Sequence, residues 1–244
     1  NRDRDAELAV ELAGGVPEIV HVNQLKSGER KLTDYHMLLL PGGFSYGDDL
    51  GAGQLWAQDL RQGLREDLER IVVEGRPILG ICNGFQALVK AGLLPDGDFS
   101  EGARRRVTLT YNHSDRFECR WVRLRPNPNS LSLFTQGLRN WLYVPVAHGE
   151  GRVVARDQET LDKLWATGEV ALTYVDSEGK TTGYPGNPNG SDFCIAALTN
   201  GFGNILGLMP HPENHIFPWQ HPRWHRGEQG MLGLALFKQG IKYA

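Results

Sequence analysis

Cysteine is scarce in this chain: Cys82, Cys119 and Cys194 are odd in number and far apart in 244 residues. That excludes the disulfide framework of small secreted domains and predicts a reducing, cytoplasmic compartment. An excess of one charge is also lacking. With 26 Lys and Arg against 29 Asp and Glu, the formal net charge is −3, so nothing electrostatic argues for nucleic acid or an acidic membrane as partner. The basic run Arg104-Arg105-Arg106 is short, adjoins Glu101 and reads as a solvated loop. No apolar run reaches the length of a membrane span, and no signal peptide is visible. In a cytoplasmic protein the sequons Asn112-His113-Ser114 and Asn189-Gly190-Ser191 are chance matches. Internal repeats and linkers are absent too, so residues 1–244 are expected to form one large domain that buries roughly 70% or more of its unfolded surface.

What the chain does have begins at Ile78-Leu79-Gly80-Ile81-Cys82-Asn83-Gly84-Phe85-Gln86. A short apolar run ends in a cysteine, and a helical pattern starts at once. Gly80 and Gly84 lie two residues either side of Cys82, the G-x-nucleophile-x-G spacing of a strand-to-helix elbow. Such a turn lifts a nucleophile above a sheet, and glycine lets the neighbouring backbone pack closely. A helix N-terminus behind the sulfur favours thiolate, the reactive form. A lone cysteine is commonly a buried structural residue, and the motif by itself leaves both readings open.

Two further segments bear on that choice. Pro210-His211-Pro212-Glu213 follows the apolar stretch 205–209. The prolines exclude a helix interior and predict an extended segment, in which His211 and Glu213 project to one side. A base oriented by a carboxylate is what a nucleophilic cysteine requires; a proline-rich loop with a solvated His and Glu is the plainer alternative. Leu38-Leu39-Leu40-Pro41-Gly42-Gly43-Phe44 reads as a strand ending in a turn that can turn backbone N–H groups toward an anion. An ordinary strand-ending turn has the same composition.

The first half alternates helix-like and strand-like segments. Helices are predicted over 3–14, over 54–74, where Leu60, Leu64, Leu68 and Ile71 recur at helical spacing, and from Cys82 to about Leu93. Strands are predicted over 18–22, 36–40 and 77–81. The order implies a parallel sheet with crossover helices and ligands at the carboxyl ends of its strands. After Pro95 the pattern is strand-rich, with strands over 119–124, 142–146, 170–175, 193–198 and 205–208. A short helix over 157–167 and a closing helix over 230–241 complete it, and 126–129 and 184–191 read as loops.

Some signals mislead. Glu178-Gly179-Lys180-Thr181 resembles the end of a P-loop, but Tyr174 stands where its first glycine belongs, so a tight turn is predicted instead. His211, His215, His221 and His225 crowd one region, yet proline interrupts the helix that would align metal ligands. No metal site is predicted, and His215, His221 and His225 are expected in loops. Asp48 and Asp49 are adjacent, which suits capping better than paired acid–base work.

Together these segments resemble class I glutamine amidotransferases, whose triad is Cys-His-Glu on a flavodoxin-like α/β sheet, mostly parallel, with flanking helices. Pro41–Gly53, Gly80–Gln86, Ala147–Arg152, Tyr184–Ser191 and Met209–Glu213 narrow the resemblance to glutaminase subunits of phosphoribosylformylglycinamidine synthase, of purine biosynthesis. The resemblance implies Cys82 as nucleophile, His211 as its base and Glu213 as the group that orients His211. It implies an oxyanion hole from the N–H groups of Gly43 and Asn83, and glutamine contacts from Gly42, Phe44, Gln86, His148 and Gly149. It implies ammonia delivery to a large synthase subunit, bridged by a small third subunit. ATP and Mg²⁺ are expected on the synthase, with no cofactor on this chain. Loops 41–53 and 184–191 are expected in part to face that partner.

The resembled family opens with a strand just before the point where this chain begins, so a strand is expected upstream of Asn1. Two other readings stay in view: a cysteine hydrolase or amidotransferase of the same fold serving another synthetase, and a non-catalytic docking subunit.

Overall fold

The computed structural model describes residues 1–97, 99, 105–228 and 232–244. The run Arg104-Arg105-Arg106 and its neighbour Glu101 lie partly outside the described residues, as do Gly230 and Met231 of the predicted closing helix. Helices α1 (Asp3–Leu12) and α2 (Val22–Lys26) precede strand β1 (Leu38–Leu40). Helices α3 (Gln54–Gly63) and α4 (Arg65–Val73) lead to β2 (Ile78–Ile81), which feeds α5 (Asn83–Ala91). Then follow β3 (Val107–Tyr111), β4 (Glu118–Pro126), β5 (Leu142–His148), β6 (Glu150–Ala155), α6 (Gln158–Ala166), β7 (Val170–Val175), β8 (Ile195–Thr199), β9 (Ile205–Leu208) and α7 (Leu234–Tyr243).

Among the described residues, one sheet has seven strands in the order β1-β2-β9-β8-β7-β4-β5, and β3 pairs with β6 in a second. Parallel pairing is confined to β1–β2 and β2–β9; the remaining neighbours are antiparallel. The parallel part carries the elbow. Every residue of β2 is buried, as expected of a strand covered on both faces. Helix α5 is buried on nearly all sides, through Phe85, Ala87, Leu88, Val89 and Ala91, with the polar Asn83 and Gln86 buried beside them and Lys90 half-buried. Each large apolar side chain so buried is worth about 1.5–3 kcal/mol. The elbow is therefore set between two buried elements of the core.

Two predicted elements differ. Residues 18–22 form no strand: the segment runs without a ladder into α2, where the His21 side chain accepts from Asn23 N–H at 3.1 Å and starts a helix. β-rich composition makes a strand only where a partner edge is available. Among the described residues β1 pairs only with β2, and a cleft of about 560 Å³ separates β1 from residues 17–25, lined by Val20, Leu38 and Leu40 among others. The helix predicted over 54–74 is two helices, broken at Leu64 with φ −129 and ψ 11. Gly63 weakens the helix there, while Leu60, Leu64, Leu68 and Ile71 still reach the core. The short sheet β3–β6 is absent from the sequence reading.

Candidate active site

Between β2 and α5 a single residue, Cys82, makes the turn. It does so at φ 50 and ψ −104, outside the regions open to most L-residues. Such strain costs of order 1–3 kcal/mol and persists only where packing imposes it. Here two glycines impose it. A Cβ on Gly80 would lie 3.0 Å from the carbonyl carbon of Gly84, and one on Gly84 would lie 2.7 Å from that of Leu40. Cys82 N–H donates to Leu208 O at 2.8 Å, fastening the elbow to β9. The thiol is 5% exposed and lies 3.8 Å from Ala147 O on β5.

Strand β9 delivers the second group. Beyond it, His211 N–H donates to Pro145 O at 2.8 Å, so the Pro210–Glu213 segment is tied to β5. The predicted extended segment is instead a 3₁₀ turn, Pro212–Asn214, with Pro212 at its first position, where the missing N–H costs nothing. The turn still brings the pair together: His211 Nδ1 lies 2.6 Å from Glu213 Oε1, and both residues are buried. An ionised carboxylate only accepts, so Nδ1 carries the hydrogen. Nε2, across the ring from Glu213, meets no nitrogen or oxygen partner; the Cys82 sulfur is the neighbour that acts on the ring. A Cβ on Gly42 would lie 2.7 Å from His211 Cε1 and 3.5 Å from Cys82 Cβ, so the imidazole and the Cys82 side chain converge at this glycine. Burial opposes charge on His211, but the Glu213 carboxylate and the Cys82 sulfur outweigh it and raise the imidazole to about 10.

The third part is the turn after β1. Gly43 has φ 141, a conformation that favours glycine, and Arg2 N–H holds Gly42 O at 3.0 Å. Asn83 opens α5, so its N–H has no acceptor within the helix. Its buried side chain joins the turn to the elbow. Oδ1 accepts from Ser45 N–H at 3.1 Å, and Nδ2 donates to Gln86 Oε1 at 3.0 Å and Asp48 Oδ1 at 3.2 Å. That gives Asp48 a loop-fixing role; burial, then the Glu150 charge, pushes its carboxyl up.

The remaining predicted residues flank this centre. Gln86 is buried and donates from Nε2 to Glu150 O while accepting from Asn83. His148 is buried, with Nδ1 3.1 Å from Asn112 Oδ1. Phe44 is exposed, with its ring centroid 6.4 Å from that of Phe117. A Cβ on Gly149 would lie 3.9 Å from the same Phe117 ring. Sequence alone assigns no site role to Pro145, Ala147 or the Asn112 side chain, because only the return of β5 to the elbow gives them one.

Other expectations need correction. His215 and His221 lie in loops as expected, but both are buried: their rings pack on Trp121, and His215 Nδ1 meets Tyr143 O. His225 is exposed. Within loop 184–191, Asn187, Asn189 and Ser191 are buried, and Asn189 Nδ2 donates to Gly151 O at 2.7 Å. That part of the loop braces β6, while Tyr184 and Pro185 are exposed. The buried, bonded amides of Asn112 and Asn189 fit the reading of both sequons as chance. Asp176 to Lys180 forms the predicted tight turn, closed by Gly179 N–H to Asp176 O at 3.2 Å.

Comparison with known proteins identifies the family. The profile of the CobB/CobQ-like glutamine amidotransferase domain matches residues 1–244. The phosphoribosylformylglycinamidine synthase subunit PurQ of Treponema denticola is 44% identical over 256 residues, covering 100% of this chain and 94% of the relative. The PurQ of Picrophilus torridus is 43% identical over 239 residues, covering 98% and 92%. In the solved structure of PurLQS from Thermotoga maritima, one chain matches with a TM-score of 0.73 and 34% identity, covering 100% of this chain and 93% of that one. This chain belongs to the CobB/CobQ-like glutamine amidotransferases, and within them to the PurQ subunits of phosphoribosylformylglycinamidine synthase.

Proposed function

We propose that this chain hydrolyses the side-chain amide of glutamine and passes the ammonia to a synthase subunit, which uses it with ATP to convert formylglycinamide ribonucleotide to formylglycinamidine ribonucleotide. The observation that carries the reading is the convergence of Cys82, His211 and Glu213 at the Gly42 turn. His211 takes the thiol proton through Nε2, since Nδ1–H is committed to Glu213. The Cys82 sulfur attacks the amide carbon. The N–H groups of Gly43 and Asn83 hold the oxyanion that develops. His211 returns its proton to the departing nitrogen, ammonia leaves, and a γ-glutamyl thioester remains on Cys82. Water, deprotonated by His211, then attacks the thioester and releases glutamate.

Gln86 would hold the 148–150 segment along the substrate, with Gly42, Phe44 and Gly149 at its edges. ATP and Mg²⁺ belong to the synthase chain in this reading, and a small third subunit bridges the two. The complex would work in the cytoplasm. Among the described residues of this chain no group of three or more metal-ligating side chains occurs, and no helix is long and apolar enough to cross a membrane.

Acid-quenching the complex during turnover, followed by peptide mapping, tests the chemistry. A glutamyl adduct on Cys82 is expected. An adduct on Cys119 or Cys194 with none on Cys82 would overturn it.

A further inference from the structure

The side chain of Asn112 follows β3 and is buried, although no step of the proposed chemistry uses it. Its Nδ2 donates to Arg116 O and to His148 O, each at 2.8 Å. Both partners are carbonyls, which only accept, so the amide has one sensible orientation. Its Oδ1 therefore faces His148 Nδ1 at 3.1 Å and must accept. The hydrogen of His148 is thereby placed on Nδ1. The ring is also neutral: burial first, and then the nearby His211 charge, push it down to about 3. A neutral imidazole has one N–H, and here Asn112 takes it.

What remains is Nε2, a lone pair with no donor, in a residue only 2% exposed. The ring is packed tightly, since a Cβ on Gly151 would lie 2.6 Å from both Cε1 and Nδ1. Its place along the chain is informative. Ala147 O, one residue before, lies 3.8 Å from Cys82 Sγ. Glu150 O, two residues after, accepts from Gln86 Nε2. His148 thus sits on the strip that runs from the nucleophile to Gln86. A buried acceptor without a donor is costly, and a donor from the substrate relieves it.

We propose that Asn112 is a positioning residue that locks His148 in the Nδ1–H tautomer, so that Nε2 accepts from the amide NH₂ of glutamine and repels the carboxylate of glutamate. Substrate and product differ at this group alone. The amide offers two hydrogens and the carboxylate none, so a lone pair fixed at this point separates them. The inference rests on the glutaminase reading and adds how the site prefers amide over acid.

The experiment uses the intact chain and its complex with the synthase. Nitrogen-15 histidine NMR of the wild-type chain should show hydrogen on Nδ1 of His148 and none on Nε2. In Asn112→Leu the hydrogen should move to Nε2. In the complex that variant should raise KM for glutamine by about ten- to a hundredfold, lower the inhibition constant of glutamate, and leave kcat within about threefold. A second variant, His148→Phe, keeps a ring without the lone pair and should show the same KM rise and the same loss of discrimination. Hydrogen on Nε2 in the wild type overturns the proposal. So does an unmoved tautomer in a folded Asn112→Leu chain, or unchanged glutamine and glutamate constants in both variants. Glutamine-dependent synthesis that survived Cys82→Ala would instead strike the glutaminase reading, and the tautomer spectrum would stand apart from it.

Discussion

The Glu213 carboxylate lies 2.6 Å from His211 Nδ1, with both side chains out of solvent. Burial alone would keep this imidazole neutral, and the carboxylate, with the Cys82 sulfur, reverses that. Glu213→Gln keeps shape and removes charge. Turnover in the complex should fall by about 10²–10⁴, and the His211 titration should drop from about 10 to below the ordinary imidazole value. The sign of the stability change follows. A folded-state value raised above the unfolded one gives stabilisation fully present below about pH 6.5 and lost as pH rises through the raised value. Wild-type stability should therefore decline between those limits relative to Glu213→Gln. Denaturant unfolding at several pH values, with histidine NMR, checks both; parallel stability profiles would contradict the account.

Gly42 lies between Cys82 and His211, the proposed nucleophile and base. Gly42→Ala places a methyl group 2.7 Å from His211 Cε1. The imidazole is held from behind by Glu213 and cannot retreat freely, so it should be displaced by a few tenths of an ångström or more. A misplacement approaching 1 Å costs about 10²-fold in rate. Steady-state kinetics should show a loss in kcat that exceeds any change in thermal stability. A variant with wild-type kcat would show that the imidazole has slack.

Gly84 serves the backbone instead. In Gly84→Ala the new Cβ would lie 2.7 Å from the carbonyl carbon of Leu40, and backbone cannot swing aside like a side-chain tip. Helix α5 would have to move off β1, at about 1–3 kcal/mol or more. Chemical denaturation should show that loss, together with lower activity, because the elbow moves with the helix. Unchanged stability would mean that β1 and α5 pack less closely than described.

The parts of the site that were legible in the sequence are those that the chain specifies locally. Gly80, Cys82 and Gly84 announce an elbow by spacing, and the observed φ of 50 at Cys82 is the strain that spacing serves. His211 and Glu213 are close in sequence and meet through one proline turn. What brings them to Cys82 was not legible, since it depends on β5 returning over the elbow, through Pro145 O to His211 N–H and Ala147 O to Cys82. Hydrophobic periodicity gives an element its type but says nothing of such a return. Residues 18–22 show the converse: strand composition is present, yet without an adjacent edge the segment turns into a helix at His21. His215 and His221 lie in loops as expected, but their burial was not legible, because their packing on Trp121 is set by residues about a hundred positions away.

Cys82 is the proposed nucleophile of an ammonia-supplying glutaminase. The most direct test compares two nitrogen sources in the assembled synthase complex containing Cys82→Ala. Glutamine-dependent synthesis should be abolished, while synthesis from added ammonium should continue near the wild-type rate, because the synthase chain is untouched. The same change at Cys119, which is exposed and free, should leave both rates intact. Substantial glutamine-dependent synthesis by Cys82→Ala, in a complex that still uses ammonium, would contradict the account.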